Sequence, residues 1–442
     1  MAHLCPLRRH ASHAAVKYGS RLLGAATVLT LVLLGCCTIA IADSDAGTEY
    51  RQWRDRLTAA AKAHDAAEEI LCATTIGRRW NWALGTLPSE LIEQIVGESE
   101  LARIGEPRIE LLQMLYDRRW LRSDGGEPSR WWQELSLALV DRNKPEEAIS
   151  VAAHITGPYE LIALQADNRY GQIAKSEFVE RDILKAARKD LERRQAAATQ
   201  EPRALSRIVQ VARGFMRLRR FDDVIRLTDS VLLRVDAARP ESIPYDDMQR
   251  QFPWLLLRRA QALAALERYD EAVVVLRRAC EEAKQNPVSL SLELARLLAG
   301  LNRPQEALAA LPALNRASPY GIATAGLVRA MAASELNDSA GLDAALHDLR
   351  SLAREYPGML QRALLFASRD DEAATELSAR LLDPDLRTDA LVELQIYTAD
   401  PAPQRIVEWR NRQEAFRRRP DVQRAVQACG RIRSYPIPEV EY

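Results

Sequence analysis

A helix-turn-helix pattern that returns after about 35 residues constrains this chain more than its composition does. Between Pro253 and Pro287, the run PWLLLRRAQALAALERYDEAVVVLRRACEEAKQNP sets Ala260 and Leu263 on the inner face of a first helix and Tyr269 at a turn. Ala272, Leu276 and Ala279 then share one face of a second helix. The run SLSLELARLLAGLNRPQEALAALPALNRASP repeats the pattern, with Ala295, Leu298, Pro304, Ala307 and Leu311 in the equivalent places. The recurring alanine marks a close approach of two helices, because a larger side chain there would push them apart. Weaker copies run from Ala138 to Ile155, Ala212 to Val231 and Leu364 to Leu382, with KPEEA, RFDDV and RDDEA ending at Ala148, Val224 and Ala373. Val224 is larger than the pattern expects. A short helix pair cannot bury its apolar stripe alone, so such units must stack.

These residues make the chain resemble the tetratricopeptide repeat, strongly in the two copies between Pro253 and Pro319 and more weakly across 126–400. The resemblance implies an all-α fold of antiparallel helix pairs stacked in a right-handed solenoid, whose first helices line a concave face. It also implies that the protein binds other polypeptides. Aromatic residues make up only 6% of the chain, which suits helices better than sheets. The expected organisation is an apolar segment at 1–42, an N-terminal helical region at 43–125, weaker repeats at 126–235, and a proline-rich connector at 236–253. The clear repeats then occupy 254–420, followed by a C-terminal helix and extended tail at 421–442. Ile183 to Arg203 reads as a long helix with one solvated side.

The segment Leu22–Ala42 carries no charge and as a helix would span roughly 30 Å, the thickness of a bilayer core. Arg8, Arg9, Lys17 and Arg21 precede it, while Asp43, Asp45 and Glu49 follow. That asymmetry predicts a cytoplasmic amino terminus and an extracytoplasmic remainder. The segment reads equally as an N-terminal hydrophobic anchor helix or as a signal cleaved after Ala40-Ile41-Ala42; Leu33-Leu34-Gly35-Cys36 also resembles a lipobox. The 61 basic and 61 acidic residues balance, so no polycationic surface argues for nucleic acid. Cys72, Cys280 and Cys429 follow the apolar segment without metal-site spacing. They read as three separate thiols, with one Cys72–Cys429 bridge as the alternative.

The sequence contains no nucleotide loop, nucleophile elbow or H-E-x-x-H helix, and neither a catalytic residue nor a cofactor or metal site is expected. His64, His154 and His347 read as surface or half-buried residues. The acid pairs Glu146-Glu147, Asp222-Asp223, Asp270-Glu271 and Asp370-Asp371 open second helices, where negative charge complements the helix dipole. Trp80 with Trp82, and Trp131 with Trp132, cannot all face one core stripe, so an exposed ring is expected among them. Extending the repeat register puts Arg213, Arg217, Trp254, Arg258, Gln261 and Arg296 toward the concave groove. Bidentate arginines beside an aromatic platform would suit an acidic or carboxylate-bearing peptide. The expected function is an extracytoplasmic, membrane-associated scaffold for protein–protein interaction in a bacterial envelope or secretion complex. The alternatives are a helical-solenoid enzyme acting on an envelope polymer and a self-assembling structural array.

Overall fold

The computed structural model describes residues 45–80, 82–102, 104–171, 181–237, 244–283, 288–314 and 317–439. The expected apolar helix at Leu22–Ala42 lies outside them. No helix among the described residues is long and apolar enough to cross a membrane. The described chain is all-helical apart from one pair of two-residue strands, as its low aromatic content predicts. It divides into two compact units, Met1–Trp120 and Leu121–Tyr442.

In the first unit, α1 (Asp45–Ala63) and α2 (Ala66–Arg79) pack together, and α3 (Ser89–Leu101) and α4 (Gly105–Asp117) pack against α2. Leu57, Ile70, Ile76, Ile92, Ile95 and Leu112 form the interior. Asp65 caps α2 by accepting from the Glu68 amide at 3.1 Å, which satisfies a donor the helix cannot pair itself.

The second unit opens with α5 (Ser129–Asp141), α6 (Pro145–Ala152), α7 (Pro158–Ala166) and α8 (Ile183–Gln200). It continues through α9 (Leu205–Arg217), α10 (Phe221–Asp236), α11 (Met248–Ala265), α12 (Tyr269–Glu282), α13 (Val288–Gly300) and α14 (Pro304–Ala310). Next come α15 (Pro319–Leu336), α16 (Ser339–Ser351), α17 (Pro357–Phe366), α18 (Asp370–Leu382) and α19 (Pro384–Glu393). The strand β1 (Ile396–Tyr397), α20 (Gln404–Arg417), α21 (Pro420–Cys429) and β2 (Ser434–Tyr435) finish the described chain. Helix α9 packs on α11, α13 on α15 and α15 on α17, while α12 joins α11 to α13; each of the five also packs on the helix that follows it.

One turn builds these pairs. Asn143, Arg219, Glu267, Asn302, Asn337 and Ser368 all have positive φ, between 54° and 62°, just after a first helix. The next amide in each case reaches back to the last turn of that helix: Lys144 to the Leu139 carbonyl, Arg220 to Phe215, Arg268 to Leu263, Arg303 to Leu298, Asp338 to Ala333 and Arg369 to Leu364. This is the Schellman arrangement, which pairs carbonyls that a helix end leaves open. The carbonyl of the same residue then receives the amide four positions on, which belongs to Ala148, Val224, Ala272, Ala307, Leu342 and Ala373. Five of these six side chains are buried; Leu342 is half-buried. Val224 fits as an enlarged copy of the alanine. The acids expected at second-helix starts stand there, and two of them pair with the preceding turn residue, Asp223 with Arg220 and Glu271 with Arg268; Glu306, an acid outside that expectation, pairs with Arg303 in the same way.

The connector expected over 236–253 is shorter in the structure, because α11 starts at Met248 and carries Pro253 inside it. Pro253 forgoes one amide hydrogen bond, and burial of Phe252, Leu255 and Leu256 in the main core offsets that loss. Asp247 fixes the junction by accepting from the Leu205 and Ser206 amides at 2.7 and 3.0 Å, in the first turn of α9. The long charged helix expected from Ile183 is α8, which buries Ile183, Ala187, Leu191 and Ala197 toward one side.

The second unit closes on itself. Helix α7 packs on α19, and β1 runs parallel to β2, pairing Ile396 with Ser434 and Tyr397 with Tyr435. At the seam, buried Asp167 accepts from Thr388 Oγ1 at 2.7 Å and from Arg169 Nη2 at 2.9 Å, and its backbone bridges Gly430. The terminal tail is extended as expected but is held: the Tyr435 hydroxyl donates to Gln165 Oε1, and the Tyr159 hydroxyl to the Pro438 carbonyl.

Candidate functional site

The inner faces of α9, α11, α13, α15 and α17 meet α20 and the segment 395–403 around a cavity of about 1060 Å³. Helix α20 has little apolar patterning and buries only Phe416 fully. Local contacts hold it across the cavity. Trp409 stacks on Phe366 with centroids 5.5 Å apart, Ile406 lies against Gly300, and Arg405 pairs with Glu335. A Cβ on Gly300 would come within 3.2 Å of Ile406, so the glycine permits this approach.

Five of the six residues placed on the concave face from the repeat register converge here. Arg213, Arg217, Arg258, Gln261 and Arg296 line the large cavity. Trp254 lines a second cavity of about 370 Å³, whose wall shares Arg258 and Gln261 with the first. They differ in what already engages them. Arg217 pairs with Asp190 at 2.8 Å and lies 5.5 Å over the Tyr159 ring. Arg258 donates to Gln261 Oε1 at 2.7 Å, which gives Gln261 a positioning role, and Arg296 pairs with Glu293 at 2.7 Å. Arg213 makes no hydrogen bond or ion pair to any described residue. Burial, together with the nearby charges of Arg258, Arg194, Arg217 and Arg122, lowers its pKa to about 10.

Asp190 organises the arginines beside this group. Burial alone would raise its carboxyl pKa, but Arg194, Arg217 and Arg193 outweigh that and hold it below the ordinary carboxylate range. Elsewhere on the lining, Arg362 pairs with Glu439 at 3.1 Å, and burial lifts the Glu439 carboxyl above its usual range. Burial likewise lowers Arg417, beside Glu439 and Glu414. The Trp409 Nε1 is buried with no acceptor among the described residues. Tyr159, Trp409 and Arg417 escaped the sequence reading, since α7 and α20 reach this cavity only through the closure of the unit, and Arg362 escaped it because the groove positions read from the register end at Arg296.

The first unit holds a different constellation. His64, Glu69 and Glu98 come from three successive helices or their turns, and the His64 Nδ1 lies 2.7 Å from Glu98 Oε1. Glu69 is fully buried and receives Gln94 Nε2 at 3.4 Å. Burial, with the Glu98 carboxyl beside it, raises the Glu69 carboxyl to about 7. Burial pushes Glu98 up as well, but hydrogen bonds from His64 and Glu69 prevail and its pKa falls. His64 is raised by its hydrogen bond to Glu98.

The remaining candidates are simpler. His154 lies 3.0 Å from Glu127, which also accepts from Trp132 Nε1 at 2.7 Å. Trp132 and Trp80 are buried, while Trp82 is exposed and packs on Tyr50. Cys72, Cys280 and Cys429 are free thiols, and burial pushes Cys72 up to about 12. Among the described residues, no three His, Cys, Asp or Glu side chains gather as metal ligands. Comparison with known proteins adds no relative, since no protein-family model matches this chain and no curated protein matches it.

Proposed function

We propose that the protein is a helical-repeat binding scaffold of tetratricopeptide type, a right-handed solenoid of antiparallel helix pairs closed at its ends, which takes a carboxylate-bearing polypeptide on its concave face. The convergence of Arg213, Arg217, Arg258, Gln261 and Arg296 on one cavity carries this reading. Guanidinium groups spaced over a half-buried wall match carboxylates in shape and charge. The repeated turns and buried alanines support the solenoid, and the uncharged Leu22–Ala42 segment supports attachment to a membrane with both units on its far side.

Binding is favoured over hydrolysis by the state of the cavity acids. Glu293, Asp400 and Glu414 are each engaged by an arginine, and Glu439, whose carboxyl burial raises, is also tied to Arg362, so no two free carboxyls face one another as an acid and base pair. The test is crosslinking in membranes of full-length protein and of the Arg258→Glu, Arg296→Glu double variant, followed by identification of attached chains. Loss of a specific crosslinked polypeptide from the variant supports the reading. An unchanged set of partners sinks it.

A further inference from the structure

We propose that Arg213 is the anchor of a carboxylate site inside the large cavity, taking the terminal carboxylate of a ligand whose body is apolar. This rests on the reading that the concave face binds a ligand, and it narrows the ligand's chemistry. Each basic neighbour on that wall already has a partner: Asp190 for Arg217, Gln261 for Arg258 and Glu293 for Arg296. Arg213 has none among the described residues, although its guanidinium is half-buried and surrounded by like charge. The two oxygens of a carboxylate match the planar fork of a guanidinium, so one carboxylate can take the donors that Arg213 leaves open.

The rest of the cavity supplies the second criterion. Leu257, Leu297, Leu327, Met331 and Phe366 line it, with Trp409 stacked on Phe366. A volume of about 1060 Å³ exceeds what a small ion needs and lies at the upper end of the range for sites that enclose drug-sized ligands. A carboxylate at Arg213 leaves its hydrocarbon portion against these residues, where burial supplies affinity and the ion pair supplies orientation. The shared chemistry is a terminal carboxylate on an apolar chain. Its source is either the C-terminal end of a polypeptide or a fatty acid.

Calorimetric titration of the full chain in mild detergent separates these cases. The probes are the tripeptide Leu-Leu-Val with a free carboxylate, the same peptide amidated, decanoate below its micellar range, and inorganic phosphate. The free acids bind, the amide binds at least tenfold more weakly, Arg213→Gln loses at least tenfold for the acids, and Arg213→Lys retains part of the affinity. Equal binding of acid and amide, unchanged affinity in Arg213→Gln, Arg213-dependent phosphate binding as tight as that of the acids, or absence of binding by every probe overturns the proposal. Binding of decanoate alone keeps the carboxylate site and overturns the polypeptide reading. Tight binding of the amide that depends on Arg258 and Arg296 does the reverse. Should Arg213→Gln not fold, phenylglyoxal labelling of the unsubstituted protein decides: the bound acid slows modification at Arg213, and equal labelling with and without it overturns the site.

Discussion

The turn at His64-Asp65 in the first unit and the turn at Glu267-Arg268 in the second are the same backbone device with different chemistry four residues on. Both have a residue of positive φ, and in both the next amide reaches back five positions, Asp65 to the Ala60 carbonyl and Arg268 to Leu263. The following helix then starts in the same way, with the Glu69 amide on the Asp65 carbonyl and the Ala272 amide on that of Arg268. In the second unit this position holds a buried methyl group; in the first it holds a fully buried carboxyl. The backbone therefore does not require alanine. What decides is whether the facing helix offers a polar partner, and α3 does so through Glu98 and Gln94.

The sharpest way to break the comparison is to move the carboxyl. Ala272→Glu would bury an acid against α11 with no matching partner, and the second unit is expected to lose ~3–5 kcal/mol in urea unfolding. A loss under about 1 kcal/mol would mean that the slot tolerates charge anywhere in the molecule. A milder form is Ala307→Leu, where overpacking between α13 and α14 is expected to cost ~1–3 kcal/mol by the same measurement, with the fold retained by circular dichroism.

The first unit offers the converse test. The folded state raises the Glu69 carboxyl to about 7 from its ordinary range, so folding takes up a proton that the unfolded chain releases. That contribution is complete below the ordinary carboxylate range and is lost as pH rises through about 7. Glu69→Gln keeps the size of the side chain and removes the titration. Because Glu98 reaches solvent, the gain at pH 8 is expected to be only ~1–2 kcal/mol. Hydrogen exchange of α2 amides between pH 5 and 8 checks it: a slope as steep in the variant as in the parent protein excludes Glu69 as its source.

The smallest effect expected is at Arg213, a second place where burial and charge conflict. Arg213→Met removes an uncompensated guanidinium and is expected to stabilise the second unit by about 1 kcal/mol, read as a rise in thermal midpoint. A fall in the midpoint would show that Arg213 packs as a structural side chain of the cavity wall.

The repeat face was legible because alanines and leucines recur at helical spacing, and Ala260, Ala272, Ala295 and Ala307 are buried as that spacing requires. Three of the positive-φ turn residues, Asn143, Asn302 and Asn337, belong to a residue type that adopts this backbone readily. Arg219, Glu267 and Ser368 do not announce it, since there the packing of the two helices imposes the conformation. The groove was half legible. Register alone brought five arginine and glutamine positions to one cavity, but α20 carries no apolar periodicity that would reveal its place across it. Its contacts depend on Gly300, Glu335 and Phe366, far back along the chain. Glu69 was overlooked because an acid in the first turn of a helix ordinarily faces water and complements the dipole; only the proximity of α3 makes it a core residue.

The seam at Asp167 bears on time more than on strength. Its hydrogen bond to Thr388 joins residues 221 positions apart, and a loop of that length must be brought together before the bond can form. An open row of helical repeats can nucleate anywhere and peel from either tip, so its end units exchange amide protons first. In the second unit α7 and α19 hold one another, so no such starting place is expected there. Folding of the second unit is accordingly expected to end in a slow, long-range docking event, with its α7 and α19 amides exchanging together with the deepest ones.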